Sequence, residues 1–259
     1  MLASAPPDPS PPTVAPVEVW AIDGLLPGHA EVLQGRLTVS ERDRAARLRC
    51  VDARTQHIVG RAMVRTLVGA RLGLRPVEVP LAVDGDGRPL VDVPGAPDIS
   101  VAHTAGMALV ALHPRGRIGI DVERADRRVS SEVIRRCCTP AELRWLDRQD
   151  PAHRGGAFLR LWVRKEALAK ADGRGLAVAL HHLDARGPTP KVPGAAAGAR
   201  WWVRDLPLED GYLGAVTGPS HPASVRVRHR SLPGPLAGAG HTADGMCDPL
   251  DPFDHGEAA

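Results

Sequence analysis

Two stretches of the chain carry different hydrophobic periods and point to one chemistry. In Ile118-Gly119-Ile120-Asp121-Val122-Glu123, apolar positions alternate with glycine and acids. A strand there puts Ile118, Ile120 and Val122 on one face and Gly119, Asp121 and Glu123 on the other. Between Gly156 and Ala171, by contrast, Phe158, Leu161, Trp162, Leu168 and Ala169 recur at helical spacing and give a core-facing stripe. Glu166 and Lys170 stand one turn apart beside that stripe, and Gly173 and Gly175 stop the helix.

The same patterning predicts the other elements. Upstream, a strand spans Val17 to Ile22, and a helix over Ser40 to Arg47 has Ser40 as its N-cap and acids in its first turn. A longer helix follows from about Thr55 to Leu72, with Ile58, Val59, Ala62, Val64, Leu67 and Val68 apolar. Strands are expected at Leu81–Val83 and Asp98–Ala102, and Met107–Leu112 and Ile118–Val122 are expected to form a hairpin across His113 to Arg117. Helices near Ser130–Cys137 and Pro140–Arg148 precede the Gly156–Ala171 helix, and strands follow near Trp201–Asp205, Tyr212–Thr217 and Ser224–Arg228. Asp84-Gly85-Asp86-Gly87-Arg88-Pro89 is a tight turn, because the bidentate Glu of a calcium loop is absent. The mixture is α+β, without a sequence repeat.

Composition narrows the class. The 259 residues are 43% hydrophobic and 24% charged, enough for one large or two small cores. No apolar run is long enough to span a membrane, and the start of the chain lacks the basic and apolar regions of a secretory signal. Four cysteines without zinc spacing fit a reducing cytoplasm. Residues 1–16 are rich in proline, and 232–259 are Gly, Pro and Ala with five acids and no Lys or Arg, so both ends are expected to be disordered. Six of the thirty acids and none of the bases lie in those ends, which leaves the middle near +9. Such a charge suits anionic partners through steering. Nucleic acid is disfavoured, since aromatics are 3% and no binding motif is present.

Asp121 and Glu123, two strand positions apart, lie about 6.6 Å from one another and repel by roughly 2.5 kcal/mol at an effective dielectric of 20. A cation between them removes that cost. Hard oxygen donors without clustered Cys or His favour magnesium or manganese, with a substrate phosphate completing the shell. Each motif alone also has a plain structural explanation, a solvated strand face for Asp121 and Glu123 and an i, i+4 ion pair for Glu166 and Lys170. Only three lysines stand against thirty arginines, and Lys165 and Lys170 both fall in this helix, which suggests compact charges wanted at a phosphate.

The order Ser100-Val101-Ala102-His103-Thr104, then Gly119-Ile120-Asp121-Val122-Glu123, then Trp162-Val163-Arg164-Lys165-Glu166-Ala167-Leu168-Ala169-Lys170 with Gly173-Arg174-Gly175-Leu176 after it, resembles the 4'-phosphopantetheinyl transferases, and more narrowly their longer, surfactin-synthetase-type branch. The resemblance covers roughly residues 17 to 231. It implies two similar α+β halves related by a pseudo-two-fold axis, 17–115 on the coenzyme A side and 116–231 with the magnesium site, in a protein expected to be monomeric. The implied reaction moves the phosphopantetheine arm of coenzyme A onto a serine of an apo acyl or peptidyl carrier protein and releases 3',5'-ADP.

Carried over by position, Asp121, Glu123 and Glu166 match the family's metal ligands, Lys170 a lysine at the coenzyme A phosphates, and His103 the histidine on the coenzyme A side. Ala102 stands where the best-known members have serine, so Thr104 or backbone amides would supply that contact. Arg44, and with it Arg47, matches cations for the 3'-phosphate; Gly60 to Arg65 resembles a Gly-x-x-x-x-Arg element; Gly87, Arg88 and Pro89 match a Gly-Lys-Pro beside the nucleotide. Glu166 is expected as metal ligand, as the base for the serine proton, or as both. A metal-dependent phosphohydrolase and a catalytically silent coenzyme A binder of the same fold are the alternative classes.

Overall fold

The computed structural model describes residues 16–232 apart from 24, 26, 86–87, 115, 174–179, 195–199, 220–221 and 223. The two ends, Gly87, Gly175 and the division at Arg115 therefore lie outside the described residues. Nine strands and six α-helices follow the chain among them. They are β1 (Val17–Asp23), α1 (Pro27–Leu33), α2 (Val39–Arg47), α3 (Val51–Leu72), β2 (Leu81–Val83), β3 (Pro89–Val91), β4 (Asp98–Thr104), β5 (Met107–His113), β6 (Gly119–Arg124), α4 (Ser131–Cys137), α5 (Pro140–Leu146), α6 (Arg154–Asp172), β7 (Trp201–Asp205), β8 (Tyr212–Pro219) and β9 (Val225–Ser231). None of the described helices is long and apolar enough to cross a membrane.

One sheet has the order β4-β5-β1-β9, a second β6-β8-β7, and β2 pairs with β3. Alternation assigns each face. From the first sheet, Ile22, Ile99, Ala108, Val110 and Leu112 pack on Ile58, Ala62 and Val64 of α3, while Val19, Ala21, Met107, Leu109 and Ala111 face Ile118, Ile120, Val122, Trp202 and Val216 of the second. The far face of the second sheet, with Val203 and Ala215, meets Val163 and Ala167 of α6. The layers thus run helix, sheet, sheet, helix, an α+β architecture.

The expected hairpin between 107–112 and 118–122 does not form. β5 pairs with β4 through the turn at Ala105 and Gly106, and with β1 on its other side. β6 pairs with β8. The residues of β5 are all buried, so no polar face announces its partner. The apolar faces of β5 and β6 meet across the inter-sheet layer instead of edge to edge. The strand at Val225–Ser231, expected within the second half, pairs in parallel with β1 of the first sheet.

Smaller differences are local. The N-cap of α2 is Thr38, not Ser40: its hydroxyl accepts from Glu41 N while the Glu41 carboxylate accepts from Thr38 N, a reciprocal capping box. α3 begins at Val51, a full turn before Thr55, and the segments α1 and β3 carry too few periodic positions to be distinguished by pattern.

The two sheets are tied where β4 runs beside β6. Asp98 Oδ2 accepts from Ile118 N at 2.7 Å and Ser100 Oγ accepts from Ile120 N at 3.1 Å. Arg88 closes this seam by donating through Nη2 to Asp98 Oδ2 at 2.5 Å and to the carbonyl of Ile118 at 2.7 Å. Above the seam, a Cβ at Gly60 would stand 3.2 Å from Val101 Cγ1, so α3 lies close on β4.

Candidate functional site

The candidate site forms where α6 crosses β6. A Cβ on Gly119 would stand 2.0 Å from the carbonyl oxygen of Ala167 and 2.6 Å from the amide nitrogen of Ala171. A residue without a side chain is therefore required for the helix to lie this low on the strand. That approach brings Lys170 onto the strand face shared by Gly119, Asp121 and Glu123. Lys170 Nζ donates to Asp121 Oδ1 at 2.8 Å and to the Val101 carbonyl at 3.5 Å, so α6 also reaches β4 across the seam. Asp121 is buried, and its Oδ2 has no hydrogen-bond partner.

Glu123 is held by two donors on one oxygen. Its Oε1 accepts from Trp162 Nε1 at 3.2 Å and is ion-paired with Arg127 Nη1. The Arg127 guanidinium also lies over the Trp162 indole, 5.8 Å from its centroid. Beside this pair is a cavity of about 400 Å³ lined by Arg127, Val129, Val133, Phe158, Leu159 and Trp162.

The electrostatics are those of carboxylates crowded away from water. Burial, then the charges of Asp121 and Glu123, push the Glu166 carboxyl up to about 7, with Lys170 and Arg127 pulling against them. Burial likewise raises Asp121 against the pull of Lys170. Glu123 is raised by burial and by Asp121, opposed by Arg127 and its bond from Trp162. Three carboxylates share each other's field with two cations, and one buried oxygen is unpartnered. That donor set, all hard oxygen, suits a divalent cation. The carboxylates are not gathered into a tight cluster: among the described residues, the trio whose ligand atoms all lie within 4.8 Å of one another is Asp23, Glu209 and His229, at the ends of β1 and β9 and in the β7–β8 loop.

The remaining sequence-derived candidates divide by environment. His103 and Val101 share a face of β4, with His103 exposed and Thr104 half-buried at the strand end. Ala102 points the other way into the inter-sheet layer, 3% exposed, among Met107 and Ile120. Arg44 and Arg47 are exposed on α2. Around Arg44 the charge accumulates: burial, then Arg61 and Arg44, depress His57, and burial, with Arg65 and Arg44, depresses Arg61 against the pull of Glu41. Arg65 is buried and committed to Glu41, at 2.7 Å, and to the carbonyls of Pro76 and Val79. Pro89 opens β3 beside Arg88, whose Nη2 is given to the seam.

Lys165, expected at a phosphate, is instead a structural ion. It is 1% exposed and donates to Glu142 Oε2 at 2.6 Å and to the carbonyls of Cys137, Leu180 and Leu183. On the helix it points to the face opposite Lys170's strand contacts, which the spacing of five residues already implied. Arg127 and the polar role of Trp162 were missed by sequence. The four-residue offset of Arg127 from Glu123 was the available signal, but in a segment following a strand that offset has no regular meaning.

Comparison with known proteins covers the segment that holds this site. Residues 117–217, which contain β6 and α6, match the sequence model of the 4'-phosphopantetheinyl transferase superfamily. The chain is 28% identical to the 4'-phosphopantetheinyl transferase HetI of Nostoc sp., over 77% of this chain and 86% of that protein. It is 27% identical to a putative 4'-phosphopantetheinyl transferase of Synechocystis sp., over 61% of this chain and 64% of that protein. With the 4'-phosphopantetheinyl transferase Sfp of Bacillus subtilis it shares 23% identity over 58% of this chain and 66% of that protein. In the segment 117–217 and along its length with these relatives, the chain is thus similar to 4'-phosphopantetheinyl transferases.

Proposed function

We propose that this protein transfers the 4'-phosphopantetheine arm of coenzyme A to a serine of an apo acyl or peptidyl carrier protein, releasing 3',5'-ADP. The observation that carries the proposal is the β6–α6 crossing, where Asp121, Glu123, Glu166 and Lys170 meet inside the segment matched to the superfamily. Similarity to Sfp supports the longer branch and, with it, two halves related by a pseudo-two-fold axis. Each half would then be one long helix on one sheet, α3 on the first and α6 on the second.

In this reading Asp121, Glu123 and Glu166 hold a magnesium ion, with manganese as a substitute. The unpartnered Asp121 Oδ2 and the raised Glu166 carboxyl are the features that fit it. When bound, such an ion offsets charge on the pyrophosphate of coenzyme A. Lys170 Nζ adds a fixed positive charge beside it, and Arg44 and Arg47, with Arg61 and His57 behind them, bind the 3'-phosphate. His103 and Thr104 line the coenzyme A side at the end of β4, and the buried Ala102 leaves that contact to Thr104 and backbone amides. We assign Arg88 and Pro89 to the border of the cleft, Arg88 acting through the seam it closes. In phosphoryl-type transfer, positioning and charge neutralisation dominate. The attacking serine must lose a proton, and Glu166 is the candidate to accept it, directly or through water; that role competes with its place among the metal donors, because a carboxylate bound to a cation is not a free base. Unbridged Cys50, Cys137 and Cys138 suit a cytoplasmic setting.

The test follows 3',5'-ADP release from coenzyme A, with and without apo carrier and with EDTA as control. The proposal expects release that needs both carrier and divalent cation. Coenzyme A breakdown without a carrier would support a phosphohydrolase, and coenzyme A binding without turnover a silent binder; either outcome contradicts transfer.

A further inference from the structure

Lys170 and Arg127 together give the carboxylates at the β6–α6 crossing two positive charges, the same number a divalent ion brings. Lys170 is held from a long helix by Asp121 and by the Val101 carbonyl. Arg127 is held differently. It belongs to the segment between β6 and α4, it binds the same Glu123 oxygen that Trp162 Nε1 already occupies, and its own Nε is buried without a hydrogen-bond partner. The guanidinium is part-exposed, but its buried Nε is left unsatisfied at Glu123, whereas most buried polar groups find a partner. It also has room to leave, because the cavity beside Trp162 is lined by Arg127 itself.

We propose that Arg127 is a built-in counter-ion for Glu123 which an incoming divalent cation displaces, so that this residue sets the cation affinity of the site. The inference rests on the metal role proposed for Asp121, Glu123 and Glu166. A cation on Glu123 and a guanidinium on the same carboxylate repel one another, and a carboxylate oxygen engaged by two donors has little left to offer a third partner. The Arg127 guanidinium keeps its contact with the indole face of Trp162 as it moves, a contact that needs no carboxylate. Lys170, anchored on helix and seam, stays. Arg127 is therefore a positioning residue that acts through Glu123.

The test is a Mn²⁺ titration of the full chain, followed by electron paramagnetic resonance without coenzyme A, for the wild type, Arg127→Gln, Arg127→Lys and Asp121→Asn. Removing a competing charge-assisted bond is expected to tighten Mn²⁺ binding by about tenfold in Arg127→Gln. Arg127→Lys, which keeps the charge, is expected to stay near the wild type. Unchanged or weaker binding in Arg127→Gln, while Asp121→Asn loses Mn²⁺, overturns the Arg127 role and leaves the metal site standing. Asp121→Asn binding like the wild type, or no binding by any of the four, overturns the metal site and the inference with it. Binding by Arg127→Gln alone supports the inference in its strongest form.

Discussion

Lysine is so rare in this chain that each one draws attention, and the two in α6 have opposite fates. Lys170 meets Asp121 at the site, whereas Lys165 meets Glu142, which is itself fully buried and also accepts from Thr139 N and Ala185 N. Removing one partner of such a buried pair leaves the other charge unpaired, so Lys165→Met is expected to cost about 3–5 kcal/mol in a denaturant titration. A cost below 1 kcal/mol would contradict the buried-pair description. Glu166 gives a second residue-scale expectation. Its folded pKa of about 7 lies above the ordinary 4.5, so the unfolded chain loses this proton first as pH rises. Stability of the cation-free protein should therefore fall between about pH 4.5 and 7, by at most about 3 kcal/mol, and stay level above. Glu166→Gln should make that slope shallower in thermal melts across the range, the raised Asp121 and Glu123 carboxyls supplying what remains, and a slope as steep as the wild type's would place its origin elsewhere.

At the scale of elements, legibility followed periodicity. α3 and α6 have stripes long enough to announce themselves, and β6 was readable because Gly119, Asp121 and Glu123 alternate with apolar residues. Both functional carboxylates on one strand face followed from that alone. What failed were pairings and boundaries. β5, buried on both faces, has no polar register to reveal that its neighbours are β1 and β4, and the cap of α2 shifted to Thr38 because Glu41 is placed to complete its box. The role of Gly119 was invisible without α6: alternation gives its face, but not that a helix backbone presses on it. Gly119→Ala must move α6 or the strand, since its Cβ would sit 2.0 Å from the Ala167 carbonyl oxygen. Overpacking of this kind costs about 1–3 kcal/mol, and because the displacement separates Lys170 from Asp121, transfer should fall more steeply than stability. Wild-type melting and turnover in this variant would contradict the close approach.

For the whole molecule, the order of layers joins what the sequence separates. β4 and β6 run side by side at the seam, which sets His103 of one sheet and Asp121 of the other on neighbouring strands; the proposed function needs them to serve one site, with the arginines of α2 and α3 on one side and the acids of β6 and α6 on the other. The family model covers 117–217, the acidic side, whereas the similarity to HetI extends over 205 residues. The cationic side of the proposal rests on Arg44, Arg61 and their neighbours, with Arg65 and Arg88 hydrogen-bonded to backbone carbonyls. If the proposed transfer to acidic carriers is right, a basic middle of about +9 should make kcat/KM fall as salt rises, chiefly through slower association; rates independent of salt would remove steering from the account. The central claim is the chemistry of the β6–α6 crossing, and intact-mass spectrometry of an apo carrier protein incubated with coenzyme A and magnesium tests it most directly. The account predicts a gain of one phosphopantetheine arm with the wild type and none with Asp121→Asn or Lys170→Ala; an equal gain with all three proteins would contradict it.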